Sequence, residues 1–278
     1  MQDTRTRAHG PNHRRFLRRN VFSLGLAATL TIFLAFAVPV SVASLLRAAP
    51  APGSAVADVA TETVHYDSGG FNIEAFVAKP AGAGKHPAVL VIHDSQGLND
   101  SIREIAKEFA AAGFFVLAPD FVSRRDGART PEQMAQAVGQ LSPNLTVQDA
   151  RSAFTVLQSN PDVDAAAIST VGFGWGGWRS FMLAASVPEL YRAVIYCGTT
   201  PLQSFDVMRA PVLAHYAQFD FRTTGNALVT EKSMSEAGKK FSYFVYPQSY
   251  RGFYFSGPQY KEDAAKLAWN RTLDFLRK

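Results

Sequence analysis

A chain of 278 residues with 47% apolar side chains has ample material for a buried core, which excludes a disordered or fibrous protein. The formal charge of +5 belongs to the leader: residues 1–57 hold seven Arg against one Asp, while the remaining 221 carry 21 Lys and Arg against 22 Asp and Glu, so no nucleic-acid surface is indicated. The single cysteine, Cys197, cannot form an internal disulfide, and the His and acidic residues show no metal-ligand spacing such as His-Glu-x-x-His, so neither a stapled scaffold nor a metal site is expected.

Arg14, Arg15, Arg18 and Arg19 precede an uncharged, largely apolar run of 26 residues from Val21 to Leu46. Arg18-Arg19-Asn20-Val21-Phe22 looks like a twin-arginine export signal, and Ala55-Val56-Ala57 supplies a small-x-small cleavage site. The run is also long enough to remain as a membrane anchor, although Gly25, Pro39 and several Ser and Thr dilute its hydrophobicity. In either case the globular part is expected outside the cytoplasm, periplasmic or held at the inner membrane, with the membrane a partner only through an uncleaved leader. Residues 1–57 are therefore assigned to signal or anchor plus linker, and 58–278 to one folded domain.

In that domain, Glu62 to Tyr66 and Phe71 to Ala78 pattern as a hairpin around Ser68-Gly69-Gly70. Pro87 to Ile92 is a continuous apolar run of the kind shown by a strand buried on both faces, and it ends in His93-Asp94-Ser95-Gln96-Gly97-Leu98-Asn99. Polar residues massed at such a strand end mark the ligand side of an open α/β sheet. Ser101 to Ala112 has helical periodicity closed by Gly113, and Phe114 to Ala118 is a strand leading to Pro119-Asp120-Phe121-Val122-Ser123-Arg124. Helical segments near Pro131 to Val138 and Val147 to Gln158 precede a strand at Ile168 to Val171, and a helix is expected from Trp178 onward. Strands at Arg192 to Cys197, Pro211 to His215 and Phe241 to Val245 follow, with a last helix over Tyr260 to Leu276. Strand and helix alternate throughout, which predicts an α/β domain with a mostly parallel sheet and helices on both faces.

The segment Gly172-Phe173-Gly174-Trp175-Gly176-Gly177 between strand and helix is the centre of this pattern. Gly172, Gly174 and Gly177 also spell a dinucleotide fingerprint, but the following strand ends in Cys197-Gly198-Thr199 without an acid for a ribose, and Trp175 stands where a pyrophosphate needs close access. The other interpretation is a nucleophile elbow, Gly-x-nucleophile-x-Gly, in which the nucleophile slot is filled by Gly174.

With Ala118-Pro119-Asp120-Phe121, Gln218-Phe219-Asp220 and Tyr246-Pro247-Gln248-Ser249-Tyr250-Arg251-Gly252-Phe253 in this order, the chain after residue 58 resembles the dienelactone hydrolase family of α/β-hydrolases. The resemblance implies the α/β-hydrolase fold, no cofactor, and attack on a lactone or ester by an elbow cysteine served by a histidine that an aspartate orients. Carried over by position, the aspartate is Asp220, the cysteine position is Gly174 and the histidine position is Arg251. The acid that partners the thiol corresponds to Asp94, and one of two substrate-holding arginines to Arg124, the other falling on Phe255. Ser95 and Trp175 fall where backbone N–H groups form the oxyanion hole.

Glycine cannot form a covalent bond through a side chain, and arginine keeps its proton at ordinary pH. Expected, therefore, is a family member of hydrolase ancestry whose thiol mechanism is lost, with a pocket for a small ester, lactone or carboxylate; its alternative is a non-catalytic binding protein. Asp220 is either a relic or the partner of Arg251 in a salt bridge that replaces the Asp–His contact. Arg124 is either a carboxylate anchor or a solvated charge. His93 and His215 are expected to be structural rather than displaced bases, and Cys197 a buried thiol rather than a relocated nucleophile; Trp175, Trp178, Tyr250 and Tyr254 are candidates for an aromatic pocket, with Trp178 and Phe181 alternatively core.

Overall fold

The computed structural model describes residues 59–124, 130–201 and 204–278, so the expected leader, its cleavage site and linker lie outside the described residues. Among those described, no helix is long and apolar enough to cross a membrane. The chain opens with a hairpin, β1 (Ala60–Ser68) and β2 (Phe71–Lys79), turned by Gly69 and Gly70 at φ +62° and +83°. Two successive positive φ values suit glycine, and the turn they make fits the right-handed twist of the paired strands.

Six more strands complete one sheet: β3 (His86–Ile92), β4 (Phe115–Pro119), β5 (Val163–Phe173), β6 (Ala193–Tyr196), β7 (Val212–Ala217) and β8 (Phe241–Tyr246). Their spatial order is β1-β2-β4-β3-β5-β6-β7-β8. β1 pairs antiparallel with β2 and β2 with β4, and every later pairing is parallel. The sheet is thus mostly parallel, as the alternation of elements predicts.

Alternating side chains of the inner strands feed two cores. Leu90, Ile92, Ile168 and Ile195 face α3 (Pro143–Ser159), α4 (Trp175–Ser186) and α6 (Ala227–Glu236). Val89, Val91, Val171 and Val194 face α1 (Asp100–Ala111) and α7 (Glu262–Leu276). Two shorter helices complete the described set, α2 (Pro131–Gly139), whose Val138 joins the first core, and α5 (Phe221–Thr224). A strand buried on both faces must be apolar at every position, which is why β3 reads as an unbroken run.

Two helices begin earlier than periodicity places them. α3 starts at Pro143 after Ser142, because proline is preorganised for the first helical position, where its missing N–H has no intrahelical partner to lose. α4 starts at Trp175 and runs through Gly176 and Gly177, residues that disfavour a helix interior. Contact compels them: a Cβ at Gly176 would overlap the Ile92 and His93 carbonyls, and one at Gly177 would lie 2.8 Å from the Gly198 Cα. These glycines let α4 sit directly on the ends of β3 and β6.

His215 is fully buried on β7, with Nδ1 2.9 Å from the Tyr246 hydroxyl and Nε2 3.0 Å from that of Thr272. Burial depresses its pKa to about 3, so it stays neutral in the fold while an unfolded chain protonates it below the ordinary 6.5. The unfolded state then binds more protons, and the stability present above pH 6.5 falls as the pH drops from there towards 3, by about 1.4 kcal/mol per pH unit. Urea denaturation of wild type and His215→Gln at stepped pH measures this: the wild-type slope should exceed the variant's in that window.

Candidate active site

Strand ends assemble the site. Beyond the C-terminal end of β3 come His93, Asp94 and Ser95; β5 delivers Gly174, β6 Cys197, β7 Asp220, and the loop after β8 brings Arg251. Gly174 has φ +49° and ψ −103°, donates its N–H to the Tyr196 carbonyl at 2.7 Å, and is the N-cap residue of α4. This is a sharp strand-to-helix elbow, and its occupant has no side chain.

Asp94 fills the space so left. Its Oδ1 accepts the Ser95 N–H at 2.6 Å and the Trp175 N–H at 2.9 Å. Those two amides converge as donors of an oxyanion hole would, and here a carboxylate of the chain itself holds both. The same contact caps α4, whose N-cap glycine has nothing to offer, and places a negative charge at the positive end of the helix dipole. A Cβ on residue 174 would overlap Asp94 Oδ1 and come within 2.5 Å of Arg251 Nη2. The present position of Asp94 and any side chain at 174 exclude each other.

Arg251 lies between two acids, Nη2 3.6 Å from Asp94 Oδ1 and Nη1 3.9 Å from Asp220 Oδ2. Its burial disfavours the charged form, but the fields of Asp94, Tyr254 and Asp220 outweigh that and raise its pKa further. The pairing with Asp220 is thus one of two and too long for a hydrogen bond: Asp220 Oδ2 is buried without a hydrogen-bond partner, as is the Tyr254 hydroxyl. Cys197 is fully buried at φ +48°, and burial first of all pushes its thiol up to about 12, away from a nucleophilic thiolate.

Among the described residues no imidazole serves this site. His93 is fully buried, with Nδ1 2.7 Å from the Asp94 carbonyl and Nε2 accepting the Phe121 N–H at 3.3 Å, so both ring nitrogens are engaged. Burial also lowers its pKa and keeps it neutral. Its ring stacks on Trp175 at 5.3 Å and 7°.

The structure therefore brings together Asp94, Ser95, Gly174, Trp175, Asp220 and Arg251. It does not bring Arg124. That side chain is 6% exposed and forks onto the fully buried carboxylate of Asp149 at 2.8 and 2.6 Å, donates to the Ser68 carbonyl at 3.3 Å, and stacks on Phe71. Both expectations for Arg124, carboxylate anchor and solvated charge, give way to a structural ion pair between the opening hairpin and α3. No sequence spacing announces Asp149, whose partner is 25 residues away. Phe181 is core, and of the two readings of Trp178 the pocket one holds: it is only half-buried and lines the cavity beside Trp175. Tyr250 is exposed against Phe219, while Tyr254 and Phe255 belong to a separate aromatic cluster with Phe173.

Two clefts share Arg251 as part of their walls, and Asp94 lines the first. One, of about 260 Å³, runs past Gln96 and Gln259; the other, of about 510 Å³, is bounded by Gly174, Trp175, Trp178, Arg179 and Arg222, and neither wall contains a histidine. Arg179 is a site residue that pattern analysis passes over. Its one signal is its place in α4, four residues after Trp175 and four before Leu183, within the stripe that packs inward.

A sequence model described as the dienelactone hydrolase family matches residues 73–278. A protein of Methylorubrum extorquens bearing the name carboxymethylenebutenolidase is 26% identical over 279 residues, which span 91% of this chain and 95% of that one. One of Saccharolobus solfataricus with the same name is 26% identical over 77% of this chain and 97% of its own. Among solved structures, a dienelactone hydrolase of Klebsiella pneumoniae superposes with a TM-score of 0.70 at 23% identity, covering 79% of this chain and 99% of that one. One from Anabaena variabilis gives 0.61 at 19% identity, covering 79% and 97%. These two structural likenesses speak for the fold.

Asp149→Ala would strand the Arg124 charge in the interior, and a loss of about 3–5 kcal/mol is expected, against less than about 1 kcal/mol for an exposed pair such as Lys232→Ala beside Glu236. Urea midpoints of the two variants check the contrast.

Proposed function

The chain belongs to the dienelactone hydrolase family, and from that premise we propose that it has kept the family's fold and pocket while giving up covalent acyl transfer, so that the pocket serves to bind a small molecule. One observation carries this: the Asp94 carboxylate accepts both oxyanion-hole amides directly over a glycine. In acyl transfer those amides stabilise the oxygen of the tetrahedral intermediate, and the atom that attacks sits beside them. Here the donors are spoken for and residue 174 has no atom to attack with.

Arg251 supports the same reading. A base must release and recover a proton near neutral pH, and a guanidinium between two carboxylates stays charged. Loss of a nucleophile or of its base in a comparable triad costs on the order of 10⁶ in turnover. Cys197 offers no replacement, since its thiol is fully buried and its pKa is raised to about 12.

Its ligands under this reading are small esters, lactones or carboxylates, reached from outside the cytoplasm if the Arg18-Arg19 leader acts as an export signal. Changing both arginines to lysine should leave the protein in the cytoplasmic fraction; unchanged export would remove that part of the proposal.

Turnover is tested with nitrophenyl acetate and a panel of small lactones. The natural protein should be no faster than buffer, and Gly174→Cys combined with Arg251→His should gain a thiol-dependent burst, enlarged when Asp94→Ala also frees the two amides. Hydrolysis by the natural protein at a rate comparable to the double variant, or its covalent labelling by a serine- or thiol-directed ester probe, would overturn the reading.

A further inference from the structure

Arg124 and Arg179 are both buried against α3, and the helix treats them differently. Arg124 receives the carboxylate of Asp149. Arg179, 7% exposed, receives only a hydroxyl, its Nε donating to Thr146 Oγ1 at 3.2 Å, and a carbonyl, its Nη1 donating to Trp175 O at 3.2 Å. Among the described residues no acid pairs with it. Its guanidinium lies 3.5 Å from the centre of the Trp175 ring and 4.8 Å from that of Trp178, on the wall of the 510 Å³ cleft.

An unpaired charge in a protein interior is costly, and interiors normally supply a counter-charge or let the group neutralise. Neutralisation is closed to Arg179: burial lowers its pKa to about 9, with no carboxylate to offset the shift, and at neutral pH the side chain is still a cation. The cleft adds positive charge. Arg222 stands exposed on its wall and makes no ion pair among the described residues, and no Asp or Glu lines it; Arg251, which borders it from the other side, is already matched by Asp94 and Asp220. Ser95 and Thr199 add hydroxyl donors, and half-buried Trp178 offers an apolar wall.

We propose that this cleft is a binding site for an organic anion, a carboxylate or phosphate monoester on a flat apolar body, with Arg179 as the buried anchor, Arg222 as a second donor and the body against Trp178. The inference rests on the binding role proposed for the pocket and names its ligand class. The missing counter-ion of Arg179 is the ligand's own charge. Neither arginine position of the family resemblance takes part, because Arg124 is consumed by Asp149 and position 255 is phenylalanine.

The test is calorimetry and thermal melting of the full chain with benzoate and phenyl phosphate, against benzyl alcohol and benzyltrimethylammonium as neutral and cationic controls. The two anions should raise the melting temperature and bind with an affinity that falls as salt rises, the tighter of the two naming the head group, and the controls should do neither. Arg179→Met should weaken anion binding at least about tenfold and, without anion, melt at or above the natural protein because the uncompensated charge is gone. Arg222→Gln, an exposed change that leaves the core untouched, should weaken binding about threefold and supplies a second readout if Arg179→Met does not fold. Absence of an anion effect on the natural protein, an equal effect with the controls, or full binding by either variant would overturn the assignment. Ester turnover with anion binding intact would instead sink the non-catalytic reading and leave this site standing.

Discussion

Two backbone amides, those of Ser95 and Trp175, converge on one point at the top of the sheet and require an acceptor there. In an acyl-transfer enzyme such donors are held ready for an oxygen that appears only during reaction. In this chain the Asp94 carboxylate occupies the point, at 2.6 and 2.9 Å, and the neighbouring positions are arranged to permit it. While Asp94 sits there residue 174 has room only for glycine, because a Cβ would collide with that oxygen. Arg251 supplies the positive charge that Asp94 would otherwise lack, and Asp220 faces its other side. The nucleophile and histidine positions hold Gly174 and Arg251 while the acid position keeps Asp220, and Asp94, Arg251 and Asp220 form an electrostatic contact across them.

Much of the architecture is legible in the residues because burial writes itself into pattern. β3 is apolar at each inner position since both faces are covered, and the opening hairpin is announced by paired glycines that the turn needs at positive φ. Helix starts are less legible where contact overrules propensity, as at Gly176 and Gly177, which sit in α4 because Ile92, His93 and Gly198 leave no room for a Cβ. The elbow and the fates of Gly174 and Arg251 follow from position in a recognisable series of segments. What Arg124 and Arg179 do does not, since it is decided by which residue of α3 faces each one, Asp149 or Thr146, and no local signal encodes that meeting.

Asp94 also shows why chemistry and stability are hard to separate at this place. The carboxylate that closes the oxyanion hole is the same group that caps α4, whose N-cap glycine cannot. A capping interaction of this kind is worth about 1 kcal/mol, more when it is charged and partly shielded from water. With no side chain at 174, Asp94 is free to rest in the hole, and the contact that caps the helix is the same contact that occupies both amides.

The survival of the elbow without its nucleophile follows from where its strain resides. A side chain at φ +49° carries a steric cost of about 1–2 kcal/mol, which glycine does not. Replacing the nucleophile by glycine therefore relaxes the turn, while the path of the backbone is held by neighbours that catalysis never touched: Gly172 packed under the Gly176 and Gly177 backbone, Gly177 against Gly198, and the Gly174 N–H on the Tyr196 carbonyl. Beside it Cys197, a residue with a Cβ, keeps φ +48° although no reaction requires it. Two adjacent strand tips hold left-handed residues because the close approach of α4 to the sheet demands that path, so this backbone geometry is a property of packing that a reactive group can exploit and equally do without.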